Sequence, residues 1–247
     1  MPVKLMISYR ELGLTCIPIV LLIAGGASVL YRKPSAAVQS IILHFAAGVV
    51  FSVVAVELLP DMIKIHEPIA IIAGFIMGIA SMLLIKWYTA KLELKEAGKK
   101  GKQLFPWGML TAVGIDLLLD GLLLGIGFAA GAKEGMLLAL ALAMECLSLG
   151  LAIGNSLLKL QLNGSKILLI LTGLSVLFVI GAAIGFFVLH YTGDKVLEIV
   201  LSFGSAALLF LVTEELLVEA HEQKDSPFYT AAFFAGFLIF MILGIAV

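Results

Sequence analysis

The stretch LFPWGMLTAVGIDLLLDGLLLGIGFAAG, residues 104–131, decides the fold of this chain. It is long and apolar enough to cross a bilayer as one helix, because a span needs about 20 apolar residues. It nevertheless carries Asp116 and Asp120 near its centre, and the next apolar stretch, residues 134–158, carries Glu145 within AMECLSLG. A charge at mid-membrane costs at least about 2.5 kcal/mol, so such residues are usually functional. The sequence therefore predicts a cation site inside a membrane.

The composition of the whole chain indicates an integral membrane protein. Of its 247 residues, 62% are hydrophobic and only 13% are charged, whereas a soluble domain carries about 25% charged residues. The net charge of −1 argues against a generally basic nucleic-acid-binding protein, so we expect the lipid bilayer and no nucleic acid as a partner. Cys16 and Cys146 both lie in apolar runs, which indicates packing rather than a disulfide framework.

Eight segments of the chain are apolar enough to span a membrane, and alternating ten-residue segments typical of a β-barrel are absent from the sequence. We therefore predict an all-α integral membrane protein, with one transmembrane domain over residues 1–247 and a basic cytoplasmic loop at residues 89–103. The predicted spans cover residues 12–31, 36–59, 67–88, 104–131, 134–158, 166–190, 195–218 and 226–246.

The placement of lysine and arginine predicts the orientation in the membrane. Most of them fall in the connections that are cytoplasmic when the N-terminus is outside, so we expect both termini outside and a location in the plasma membrane. The first apolar run ends in Tyr31-Arg32-Lys33 rather than in a small-residue cleavage site. We therefore expect this run to be retained as a span.

Asp116, Asp120 and Glu145 are the predicted metal ligands. Asp116 and Asp120 are four residues apart, which places them on one helix face, and Glu145 approaches from the next span. A proton relay and purely structural hydrogen bonding remain open as alternatives, since burial and like charge also favour a protonated acid. Oxygen ligands favour manganese, iron(II), magnesium or calcium, and Cys146, about 100° around the helix from Glu145, is a weak candidate.

Glycine is concentrated in the fourth and fifth predicted spans. Small residues at four-residue spacing let helix backbones approach closely in lipid. We therefore expect tight packing of these two spans against each other, which would also bring the three acids together. The glycines concerned are Gly121, Gly125, Gly127, Gly131, Gly150 and Gly154.

Further polar residues in the second and seventh spans are candidates for an ion pathway. Glu214, Glu215 and His221 approach the predicted cytoplasmic surface and either receive the ion or form a solvated helix end. Glu57, near the outer end of the second span, either attracts cations or is simply solvated. His44 is more typical of a hydrogen bond that supports helix packing than of a metal ligand.

The order and spacing of four motifs resemble the ZIP family of metal-ion transporters, over nearly the whole chain. These motifs are HFAAGVVFSVVAVELLPDM (44–62), DLLLDG (116–121), ECLSLG (145–150) and EELLVEAH (214–221). The resemblance implies a site between the fourth and fifth spans that imports zinc, iron, manganese or cadmium into the cytosol. Asp116 stands where the family has histidine, and Glu145 replaces the histidine of the fifth span. These replacements imply one three-acid site in place of a pair of metal sites.

The sequence therefore favours a ZIP-like divalent cation transporter, with the metal ion as substrate and no prosthetic group. The alternative is a membrane protein of the same fold that senses ions or protons without transporting them. An enzyme is not expected, because HExxH and GxSxG motifs are absent from the sequence. A homodimer is compatible with the glycine-rich helix faces but is not required by them.

Overall fold

The computed structural model describes residues 9–31, 35–65, 67–97, 105–190, 194–221 and 226–246, and within them it is helical with no strand. This agrees with the all-α prediction. The helices are α1 (Tyr9–Tyr31), α2 (Ala36–Val53), α3 (Leu59–Ile65), α4 (Pro68–Ala97), α5 (Trp107–Ala130), α6 (Ala132–Lys159), α7 (Gly164–His190), α8 (Asp194–Leu211), α9 (Leu217–Ala220) and α10 (Pro227–Ala246).

Eight helical stretches within the described residues are long and apolar enough to cross a membrane, as predicted. The third differs in length, because α4 continues to Ala97 and so includes the first part of the loop predicted at 89–103. Residues 89–97 are rich in alanine, leucine, lysine and glutamate, which are strong helix formers even in water. Residues 98–104, which include the rest of that predicted loop, lie outside the described residues.

The spans form two groups of four. α1, α5, α6 and α7 pack mainly with one another, and α2, α4, α8 and α10 form the second group together with the short α3 and α9. We call them the α5–α6 group and the α2–α8 group. Contacts between the groups are fewer and run mainly through α2 with α6 and α4 with α5. All three candidate ligands lie in the α5–α6 group.

Close contacts between glycines and facing backbones hold the helices together in four pairs. A Cβ atom on Gly121 of α5 would overlap the backbone oxygen of Phe178 on α7, and one on Gly150 of α6 would overlap that of Leu22 on α1. Helices in lipid associate through such close backbone contacts. The same arrangement joins α2 to α10 and α4 to α8, through Gly48, Gly236, Gly74 and Gly78.

The prediction that these glycines pack the fourth span against the fifth was therefore wrong for most of them, because they contact other helices. Gly121 and Gly125 face α7, while Gly150 and Gly154 face α1. Of those predicted, Gly127 meets α6 at Gly135, and Gly131, in the turn before α6, meets the side chain of Glu134. The spacing of glycines along one helix shows that small residues line a face that allows close packing. It does not show which helix packs against that face.

Two π-helical turns interrupt the second and seventh spans. They cover Val54–Leu58 and Val212–Leu216, each closed by the backbone N–H of the following leucine, which donates to the carbonyl of the first valine. The same sequence pattern, Val-x-x-Glu-Leu-Leu, starts at the first residue of each turn. Pro60 follows the first turn and cannot donate a helical hydrogen bond, whereas no proline accounts for the second. Turns of this kind are frequent at functional sites.

Consecutive spans run in opposite directions, so their connections gather at two ends. The helix ends Tyr31, Ala36, Ala97, Trp107, Lys159, Gly164, Ala220 and Pro227 lie at one end, which we call the long-loop end. The helix ends Ile65, Pro68, Ala130, Ala132, His190 and Asp194 lie at the other, the short-loop end. The sequence predicts the long-loop end to be cytoplasmic.

Candidate metal site between α5 and α6

Asp116, Asp120 and Glu145 come together between α5 and α6. Asp116 and Asp120 lie one turn apart on α5, and Glu145 lies on α6. One carboxylate oxygen from each of the three lies within 4.8 Å of those from the other two. The structure thus brings together the three residues that the sequence predicted to share a site.

The turn at Gly131 explains why the three acids meet. α5 ends and α6 begins there, and the two helices lie side by side, since a Cβ on Gly127 would lie 3.4 Å from the Cα of Gly135. At 1.5 Å per residue, Asp120, Glu145 and Asp116 lie roughly 17, 21 and 23 Å along their helices from Gly131. Glu145 therefore reaches the level between the two aspartates.

Burial leaves oxygen atoms of this site without partners. Asp120 and Glu145 are each 1% exposed, and Asp120 Oδ2 and Glu145 Oε2 have no hydrogen-bond partner among the described residues. Asp116 is half-buried. Buried carboxylates that lack both a hydrogen bond and a counter-charge are costly. A bound cation or a proton would offset that cost.

The ligand set of the site consists of oxygen atoms. Cys146 is buried but does not belong to the cluster, and within the described parts of the chain the cluster contains no histidine. Ser148, one turn after Glu145, is 2% exposed and its Oγ also lacks a partner. No pattern in the sequence distinguishes Ser148, because a serine in a buried helix usually bonds to its own helix. Its unpartnered hydroxyl lies one turn from Glu145 on the same helix, so it is a candidate for a further oxygen ligand.

A cavity of about 370 Å³ reaches Asp116 from the long-loop end. The half-buried Glu215 lines it, as do Lys86 of α4 and Glu214. Lys86 Nζ lies 2.6 Å from Glu214 Oε2, and both side chains are about half exposed. Both glutamates predicted for the pathway therefore line this cavity, and Glu214 also pairs with Lys86.

At the short-loop end, Glu57 is buried rather than solvated. It is 9% exposed, and its Oε2 lies 3.4 Å from Nζ of Lys133, at the start of α6. This ion pair joins the two helix groups. Glu57 lies in the first π-helical turn, and Glu215 lies at the matching position of the second.

His44 and His221 lie together at the long-loop end, outside the three-acid cluster. Their ring centroids are 5.0 Å apart, and Tyr229 stacks on His44 at 5.7 Å. His44 Nδ1 lies 2.8 Å from the carbonyl oxygen of Ser40, and His221 Nδ1 lies 2.6 Å from that of Leu217. Both rings are thus fixed by backbone bonds within their own spans, which agrees with the packing interpretation of His44.

The fold and the site define an all-α membrane protein with a carboxylate cluster that has the composition of a cation site. Comparison of the chain with known protein families finds no match, and comparison with curated protein sequences finds none.

Proposed function

We propose that this protein is a ZIP-like transporter that moves a divalent metal cation into the cytosol through the site between α5 and α6. The observation that carries this proposal is the cluster of three carboxylates within 4.8 Å inside two membrane-spanning helices. A divalent cation balances most of their charge and uses the unpartnered oxygens of Asp120 and Glu145. Structural hydrogen bonding alone explains the cluster less well, because those oxygens have no partner.

The transported ion belongs to the group zinc, manganese, iron and cadmium, following the family resemblance. Within that group, a site of carboxylate and hydroxyl oxygens favours manganese and iron(II) over zinc and cadmium, which prefer nitrogen or sulfur ligands. We therefore expect manganese or iron(II) as the better substrate. In this proposal the protein lies in the plasma membrane with its termini outside.

The route of the ion follows from the two ends of the molecule. At the long-loop end, the ion passes between Asp116 and solution through the cavity lined by Glu215, next to the Lys86–Glu214 pair. At the short-loop end, the Glu57–Lys133 pair joins the two helix groups and must separate when that end opens. Movement of the α5–α6 group against the α2–α8 group would expose the site to each side in turn.

Uptake into proteoliposomes tests this function. Mn²⁺, Fe²⁺, Zn²⁺, Cd²⁺ and Mg²⁺ are offered to vesicles that contain the wild type, Asp120→Asn or the control Glu67→Gln, whose side chain is exposed. We expect uptake of at least one ion by the wild type and the control, and its loss in Asp120→Asn, which removes a ligand charge but keeps the side-chain shape.

Binding measurements on the same samples separate the two candidate functions. Binding without flux by correctly folded protein would favour the ion sensor. The Lys86–Glu214 and Glu57–Lys133 ion pairs are compatible with that alternative. Absence of both binding and flux would overturn the metal site itself.

A further inference from the structure

A second buried carboxylate, Glu198, lies on α8 outside the three-acid cluster. Glu198, Ser202 and Ser205 follow one another at spacings of four and three residues, so they share one face of the helix. All three are 0% exposed. Ser205 Oγ donates to Met62 Sδ at 3.3 Å, but among the residues that the structure describes, neither oxygen of Glu198 nor Oγ of Ser202 has a partner.

This polar face lies against α3 and α4, within the α2–α8 group. Ser205 contacts Met62 of α3, and the Cβ of Ser202 would be 2.8 Å from a Cβ built on Gly74 of α4. The face therefore lies in a tight helix contact and not on the lipid-facing surface. Neither the proposed metal site nor the ion pairs at the two ends use it.

Buried polar groups in folded proteins nearly always have a partner, and a group that lacks one within the protein is a candidate contact for an ion. Here two unpartnered groups lie one helical turn apart, and one of them is a carboxylate. An isolated buried carboxylate is especially costly. A small cation beside Glu198 and Ser202 would compensate the charge and satisfy both groups.

We propose that Glu198 and Ser202 form a binding site for a monovalent cation, sodium. The charge balance favours a monovalent ion, because one carboxylate compensates one positive charge. Within the described residues, Glu198 does not belong to a cluster of three or more acids, histidines or cysteines like that of Asp116. Carboxylate and hydroxyl oxygens are hard ligands, which suit hard cations.

Thermal unfolding of the purified full-length protein tests this site without any transport assay. The midpoint is measured in sodium chloride and in choline chloride at equal ionic strength, without divalent metal, for the wild type, Glu198→Gln and the exposed control Glu67→Gln. We expect sodium to raise the midpoint of the wild type and the control by about 3–5 °C for each tenfold increase above its Kd. We expect no sodium effect in Glu198→Gln.

Two further measurements test the site if Glu198→Gln does not fold. One is the sodium effect in Ser202→Ala, and the other is direct binding of radioactive sodium to the wild type. The alanine variant is expected to weaken sodium binding about tenfold. An equal sodium effect in Glu198→Gln would overturn the proposal, as would wild-type protein that binds no sodium. A midpoint that responds to pH but not to sodium would also overturn it, in favour of a proton on Glu198. Because divalent metal is absent, the result is independent of the proposed transport.

Discussion

At the scale of single residues, the positions of buried oxygen atoms carry the functional argument. Asp120 and Glu145 are almost fully buried, and each has an oxygen without a partner. Removing a carboxylate from water costs several kcal/mol unless a counter-charge or hydrogen bonds compensate it. In the proposed function, a divalent ion would compensate this cost at the three-acid cluster, and Ser148, one turn from Glu145, would offer a neutral ligand.

Ser148→Ala tests whether the serine hydroxyl belongs to the metal site. Loss of one neutral ligand worth about 1.4 kcal/mol weakens binding about tenfold, so we expect this reduction in Mn²⁺ affinity, measured by calorimetric titration. The metal-free protein should lose little stability, since this hydroxyl makes no hydrogen bond. Ser175→Ala is the control, because Ser175 is also buried but bonds to the carbonyl of Leu171 in its own helix. Equal Mn²⁺ affinity in the Ser148 variant and the wild type would remove Ser148 from the site.

At the scale of helices, close glycine contacts determine which spans pair. α5 meets α7 where Gly121 and Gly125 approach the backbone of α7, and Gly181 and Gly185 approach that of α5 in return. Because a backbone cannot move aside as a flexible side chain can, these positions exclude any side chain. This pairing fixes the direction in which Asp116 and Asp120 point, and so it supports the site from the opposite side of α5.

Gly121→Ala and Gly173→Ala form a matched pair that tests this packing. A Cβ on Gly121 would overlap the backbone oxygen of Phe178, whereas a Cβ on Gly173 of α7 meets nothing within 4 Å. We expect Gly121→Ala to lower the free energy of unfolding by at least about 1–3 kcal/mol. Gly173→Ala should raise it by about 0.5–1 kcal/mol, because alanine favours the helix. Denaturant titration in detergent measures both, and similar stability of the two variants would contradict the packing.

At the scale of the whole molecule, the candidate functional residues are distributed over both helix groups. The α5–α6 group carries the three candidate ligands, while the α2–α8 group carries both π-helical turns with Glu57 and Glu215. The cavity that reaches Asp116 lies between the groups, lined by residues of both. The Glu57–Lys133 pair connects the groups at the opposite end. Relative motion of the groups would therefore change access to the site from both ends.

A double-mutant cycle at Glu57 and Lys133 measures this connection. Glu57 is 9% exposed, and its partner side chain is 38% exposed. We therefore expect Lys133→Gln, which leaves a buried carboxylate unpaired, to destabilise the protein more than Glu57→Gln does. The coupling in unfolding free energy should be about 0.5–1.5 kcal/mol, between the values for exposed and buried ion pairs.

The double variant is then expected to be more stable than Lys133→Gln alone. Additive effects of the two substitutions on the free energy of unfolding would show that the pair does not connect the groups energetically.

Some features of the structure leave a signal in the sequence. The pattern Val-x-x-Glu-Leu-Leu occurs at both π-helical turns, and this short internal repeat relates Glu57 to Glu215. Glu198 lies near the start of a span, where a glutamate normally reads as a solvated helix end. Its complete burial depends on α3 and α4, and spacing along α8 alone does not reveal it.

The sequence by itself determined the all-α class, the eight apolar spans and the three acids of the candidate site. These follow from local physics, since the length of an apolar segment defines a span. A carboxylate within such a segment is costly, so its position alone indicates a functional residue. Only the tertiary structure decided which helices pair, that Glu57 is buried against Lys133, and that Glu198 and Ser148 lack partners. Those features depend on contacts between residues far apart in the chain, and hydrophobicity, which all the spans share, does not distinguish one partner helix from another.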